Sequence, residues 1–182
     1  FLAGIAAGLG AATAAGAAES AYASVDLAAC REMAPDPDDP LESGVWTCDG
    51  YGGMPVWISE GDLRMFLSFG ERPKDEPAAG QTMPRFNHIG QTLEWRLDAP
   101  APAGKAYAAI IRYYIDVDGD ADGQVLAVIR LGPPGSICHV AHVDATANPD
   151  ANALARKAAD EMAAGFRCGT DETQVIGNRG AL

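Results

Sequence analysis

From Val45 to Val143 the apolar residues come in short β-type runs, each closed by turn residues, and only after Asn148 does a helical period take over. Such a chain must build a sheet and lay one helix on it. The runs are residues 45–48, 54–58, 63–69, 93–97, 107–115, 124–131 and 137–143. Residues 93–97, Leu-Glu-Trp-Arg-Leu, alternate apolar and charged, which predicts one buried and one wet face with Glu94 and Arg96 pointing outward. Residues 107–115 and 124–131 are apolar on both faces and flank the turn 116–123, so they read as a hairpin at the sheet's buried centre. The helix is expected to start at Asn148-Pro149-Asp150, with Asn148 capping and Pro149 in the first helical position, and to run to about Ala164 before Gly165. Leu154, Ala158 and Met162 form its apolar stripe, widened by Ala155 and Ala159, while Arg156, Lys157, Asp160 and Glu161 stay in water. The fold class is therefore α+β: an antiparallel sheet of about six or seven strands packed by one C-terminal helix.

The remaining segments carry no sheet period. Residues 22–31 are helical or extended, and 34–40, with three prolines and three aspartates, form an exposed acidic loop. Residues 70–91, rich in Pro, Gly, Lys and Asp, form a long loop. At 182 residues and 48% hydrophobic, the chain has the size of one domain that can bury a core unaided. We divide it into 1–18, 19–169 as a single domain, and 170–182 as a flexible tail.

Residues 1–18 are uncharged, and nine of them are alanine. That composition is too weakly apolar for a spanning helix and suits the remnant of a signal peptide, cut near Ala15-Gly16-Ala17 ahead of Glu19. Leu27-Ala28-Ala29-Cys30 matches a lipoprotein cleavage box, but Glu19, Ser20, Ser24 and Asp26 separate it from the apolar stretch. Export to the periplasm or beyond is the expectation, with no stable membrane anchor once the leader is cut. Thirteen basic against 25 acidic residues, net −12, argue against nucleic acid and against an anionic membrane surface as partners.

The four cysteines, Cys30, Cys48, Cys138 and Cys168, contain no C-x-x-C pair, so in an exported chain they predict two disulfides. Of three connectivities we favour Cys30 with Cys48 and Cys138 with Cys168. Each pair closes a short loop at one end of the chain, and Cys168, past the helix, can return to the preceding strand.

Several motifs touch on chemistry. Asp116, Asp118, Asp120 and Asp122, with Gly123, resemble the first half of an EF-hand loop, but Ile129 stands where the bidentate glutamate belongs. A solvated hairpin turn is the reading, and weak Ca²⁺ binding, which would relieve carboxylate repulsion, is the sole cofactor considered. His139 and His142 are three apart on a strand, hence on opposite faces, and cannot share a metal without a bulge. His88 stands alone in the long loop. Glu60, Asp62 and Glu94 offer carboxylate pairs, but neither G-x-S-x-G nor H-E-x-x-H occurs. The segment 50–64 places four glycines and a proline around Tyr51, Trp57, Glu60 and Asp62, a loop suited to contact with a partner or ligand.

Asp26-Leu27-Ala28-Ala29-Cys30, Trp46-Thr47-Cys48 with the following Gly-Tyr-Gly-Gly, Ser59-Glu60-Gly61-Asp62-Leu63-Arg64, Cys138-His139-Val140-Ala141, 147–152 (Ala-Asn-Pro-Asp-Ala-Asn) and Gly165-Phe166-Arg167-Cys168 together resemble a set of small exported bacterial proteins of unassigned function. The resemblance spans residues 25–168. It implies export and paired cysteines and supplies no catalytic residues. The expected function is a non-enzymatic periplasmic or secreted module that binds a protein or small ligand, an acidic inhibitor of a cationic enzyme being one form. The alternatives are an envelope hydrolase using carboxylates and His139 or His142, and a calcium-dependent structural protein.

Overall fold

The apolar segments 107–115 and 124–131 lie at the centre of the molecule as long neighbouring strands buried on both faces. The computed structural model describes residues 18–38, 41–117 and 119–182, with the backbone alone at 120–122, so residues 1–17 of the expected leader lie outside it. Its elements run β1 (Glu19–Ser24), β2 (Arg31–Met33), β3 (Glu42–Asp49), β4 (Pro55–Gly61), β5 (Arg64–Phe69), β6 (Asn87–Leu97), β7 (Ala106–Val117), β8 (Asp120–Arg130), β9 (Cys138–Asp144), α1 (Ala151–Met162) and β10 (Gln174–Val175).

The fold is α+β, and the strands divide between two sheets. A six-stranded sheet has the order β1-β6-β7-β8-β9-β10, and β2-β3-β4-β5 form a second, four-stranded one. All neighbours are antiparallel except β9 and β10. Strand periodicity explains the layering. On β7, Ala109, Ile111, Tyr113 and Ile115 point to the four-stranded sheet, while Ala108 and Ile110 point to α1. The larger core between the sheets holds Trp95, fully buried, with the Phe69 ring edge-on at 5.4 Å. At Gly50 a side chain would strike the Met54 carbonyl and the Trp95 ring, so glycine there lets the β3–β4 connection close over the core.

Helix α1 covers the opposite face through Ala151, Ala155, Ala158 and Ala159, which bring it close to the sheet; Leu154 and Met162 flank this stripe. Three helix expectations change. The helix starts at Ala151, its N-cap Asp150 makes no side-chain capping bond, and it ends at Met162. Asn148 is committed elsewhere: its amide donates to the carbonyls of Asp144 and Asn178 and accepts from the Asn178 N–H, each at 2.8 Å. Glu94 and Arg96 do not point into water. They face α1 and are buried, 8% and 5% exposed, because Arg156 and Asp160 reach back from the helix to neutralise them.

The segment 170–182 is not frayed. Its two-residue strand β10 pairs in parallel with β9 at Ala141 and His142, and the Ala181 N–H donates to the Asp144 carboxylate at 2.7 Å. Residues 22–31 divide into β1, a turn and the start of β2, and β6 begins at Asn87, inside the expected loop.

Both disulfides pair as read, Cys30 with Cys48 and Cys138 with Cys168, with Cα atoms 4.6 and 5.7 Å apart. The second closes 30 residues, and on loop entropy replacing both its cysteines with alanine is expected to lower stability by about 3–4 kcal/mol. Urea unfolding of the Cys138→Ala/Cys168→Ala protein measures this; a loss under about 1 kcal/mol would mean that helix packing alone holds Cys168 in place.

Candidate functional site

Alternation along β4 and β5 sends Val56, Ile58, Met65, Leu67 and Phe69 into the core between the sheets and leaves Trp57, Ser59, Phe66 and Ser68 on the outer face. The expected loop 70–91 folds over part of that face. Two short 3-10 turns, Pro73–Asp75 and Pro77–Gly80, lie against it, anchored where the Ser68 hydroxyl donates to the Pro73 carbonyl and the Ala78 N–H to the Ile137 carbonyl. Pro at the start of each turn supplies the required φ without losing a needed N–H.

What remains open is a groove of about 530 Å³ with Trp57 and Phe66 among its walls. Asp36, Glu42, Glu60 and Asp62 also line it, together with Arg64 and Lys74. Arg64 pairs with Asp62 at 2.8 Å. The Lys74 ammonium lies 5.8 Å from the centre of the Trp57 ring, 3.3 Å from Glu42 and 3.6 Å from Asp36. Among the described residues no Lys or Arg pairs with Glu60. Four carboxylates against two cations leave the groove negative, and the Trp57 face beside them is a natural seat for a cation.

Of the expected contact residues, the fold brings Trp57, Glu60 and Asp62 into this groove. Tyr51 goes elsewhere: its ring packs 6.4 Å from Trp95 and its hydroxyl donates to the Gly104 carbonyl at 3.1 Å. Glu94 is also apart from Glu60 and Asp62, since it lies under α1 held by Arg156. Asp36, Glu42, Phe66 and Lys74 were not singled out by the sequence. The acidic run around Asp36 marked exposure only, and Lys74 sits in a segment without period.

The aspartate turn between β7 and β8 is partly described. Asp118 lies outside the described residues, as do the side chains of Asp120 and Asp122. The Asp116 carboxylate accepts the Gly119 N–H at 2.9 Å, as a local turn bond does.

The two histidines meet after all, because β9 carries the bulge that a shared face requires. Val128 pairs with Ala141 and Ile129 with His139, so Val140 is the extra residue and both it and Ala141 face α1. His139 and His142 are thereby turned to the same side, with Nδ1 of one 2.9 Å from Nε2 of the other. Burial pushes His139 down to about 3, aided by repulsion from His142, and burial pushes His142 down to about 4. His139 Nε2 and the neighbouring Tyr113 hydroxyl are buried with no partner among the described residues. His139 is 1% exposed, so it is not presented to a substrate. His88 stacks on Tyr114 at 5.0 Å. No group of three or more potential metal ligands occurs among the described residues.

A second cleft, about 300 Å³, opens between β6, β7 and the start of α1, lined by Tyr22, Thr92, Glu94, Arg112 and Arg156. Arg112 is held there by neutral oxygens, Gln124 at 2.8 Å and Asn152 at 3.2 Å. It is smaller than the groove, and its one carboxylate, Glu94, is already consumed by Arg156. No helix among the described residues is long and apolar enough to cross a membrane. Compared with protein-family models, with curated proteins and with solved structures, the chain matches none.

Proposed function

We propose that this protein is an exported binding module that works without catalysis, and that its acidic groove on the outer face of the four-stranded sheet takes a cationic protein partner. A basic enzyme such as lysozyme is one form of that partner. The observation that carries the reading is Lys74: its ammonium rests over Trp57 between Glu42 and Asp36, so the groove already solvates a cation with an aromatic face and two carboxylates. A partner's lysine or arginine would meet, in the same groove, Glu60, with which no Lys or Arg among the described residues pairs. The net charge of −12 adds long-range attraction for a basic surface. Export is supported by the uncharged, alanine-rich composition of residues 1–18 and by two disulfides, which persist in oxidising compartments.

Titration against lysozyme is expected to show binding at ~20 mM salt that weakens at least about tenfold by ~300 mM, as attraction between exposed charges is screened. Glu60→Gln should weaken it further, because Glu60 is the groove carboxylate that pairs with no Lys or Arg among the described residues. No binding, or binding indifferent to salt, would sink the proposal.

A further inference from the structure

We infer that Leu63 is the apolar anchor by which the groove's partner is held, an aliphatic side chain presented on a strained hairpin tip to an apolar socket in a cationic protein surface. This rests on the cationic-partner reading above and goes beyond it by naming the contact that charge alone does not supply.

The β4–β5 hairpin turns through two residues, Asp62 and Leu63, at φ 51° and 58°. Both sit in the left-handed region that such tight turns demand, where Asn-Gly or Asp-Gly is the favoured pair. Asp62 tolerates this backbone, but leucine is poorly suited to it. Packing does not account for the choice, since Leu63 is 61% exposed. Its backbone carbonyl accepts the Asn87 N–H at 3.0 Å, a bond that any residue would make. The side chain therefore does nothing for the fold that glycine or asparagine would not do at lower strain, which points to use outside the molecule.

Its surroundings fit such a use. Five large hydrophobic residues are exposed among the described residues, and three of them, Leu41, Leu63 and Phe86, converge at this tip. The Leu41 carbonyl lies against Gly61, and the bond from Asn87 to Leu63 sets Phe86 beside the turn. Carboxylates border this crest on the groove side, where Asp62, paired with Arg64, and Glu60 lead from it into the groove. On the far side the Asp116 N–H donates to the Phe86 carbonyl, in a cleft that Arg64 and Arg85 also line. An apolar crest with carboxylates along one edge complements an apolar socket with lysine or arginine along the matching edge.

The experiment compares the parent protein with Leu63→Gly and Leu63→Asn, asparagine being the side chain best tolerated at positive φ. Melting temperature, affinity for lysozyme and affinity for polylysine are measured on each; polylysine offers charge and no socket. The variants should melt no lower than the parent, with a rise of up to about 3 °C. They should lose at least about tenfold in lysozyme affinity and keep polylysine affinity unchanged. A melting temperature lowered by more than about 3 °C in both variants would assign Leu63 to the fold. Undiminished lysozyme affinity would overturn the anchor and leave the acidic groove standing, and so would a parent that binds polylysine alone. A parent that binds neither cation overturns the groove reading and the anchor with it.

Discussion

Arg96→Met is expected to lower the stability of the protein by about 2–3 kcal/mol, because it removes the guanidinium that docks Asp160 of the helix onto the sheet and leaves that carboxylate with Tyr107 alone. The Arg96 guanidinium donates to the Asp160 carboxylate through Nε and Nη2 at 2.9 and 2.8 Å, and also to the Ser20 hydroxyl and the Ala18 carbonyl. Tyr107 donates to the same Asp160 oxygen at 2.6 Å, while Arg156 holds Glu94 at 2.6 Å. Burial alone would raise the Asp160 carboxyl, yet the bonds from Arg96 and Tyr107 outweigh it and hold the group below the usual range. Methionine preserves most of the packing volume and removes the two guanidinium bonds to Asp160, while Tyr107 stays on Asp160 and Arg156 on Glu94. Denaturant unfolding of Arg96→Met, Asp160→Asn and the double variant tests the account. The double variant should lose clearly less than the sum of the singles, since the two residues share one network. Simple additivity would show that the alanine face of α1 docks the helix by itself.

Acid should be the second strong perturbation, through His139 and His142. Both are neutral in the folded protein, with pKa values depressed to about 3 and 4, whereas in the unfolded chain each titrates near 6.5. Below pH 6.5 the unfolded state takes up protons that the native pair cannot accept, so stability present above that pH is lost as the pH falls. The loss reaches about 2 kcal/mol per histidine at pH 5, and it continues until the native pair itself titrates. Melting curves between pH 7.5 and 4.5 should therefore slope steeply for the parent and shallowly for His139→Gln/His142→Gln. Equal slopes would mean that the pair is hydrated and titrates freely in the folded state.

The same pair shows where sequence reasoning stops. Spacing on a regular strand sends His139 and His142 to opposite faces, and nothing local announces that Val140 is an inserted residue. The long apolar runs of β7 and β8, the helix and the cysteine pairing were legible because each rests on local periodicity or on loop closure. Glu94 and Arg96 show the opposite case. Strict alternation located their face correctly, but whether that face meets water or a helix depends on residues more than 60 positions away. The tail escaped for the same reason, since β10 has two residues and no period, and its anchor is an asparagine that looked like a helix cap. In the groove, Trp57, Glu60 and Asp62 were readable from one turn-rich segment. Asp36, Glu42 and Lys74 join them only through the folding of separate loops over the sheet.

The two disulfides lie on opposite sides of the six-stranded sheet, Cys48 in the core between the sheets and Cys138 in the core beneath the helix. That placement makes oxidation a proofreading step. A crossed bridge, such as Cys48 with Cys138, would have to pass through the sheet that β6, β7 and β8 build, so a mispaired chain cannot complete its largest core. Such a chain stays open to thiol attack and reshuffling, while each correct bridge has one sulfur, that of Cys48 or Cys138, buried in its own core and so less open to exchange.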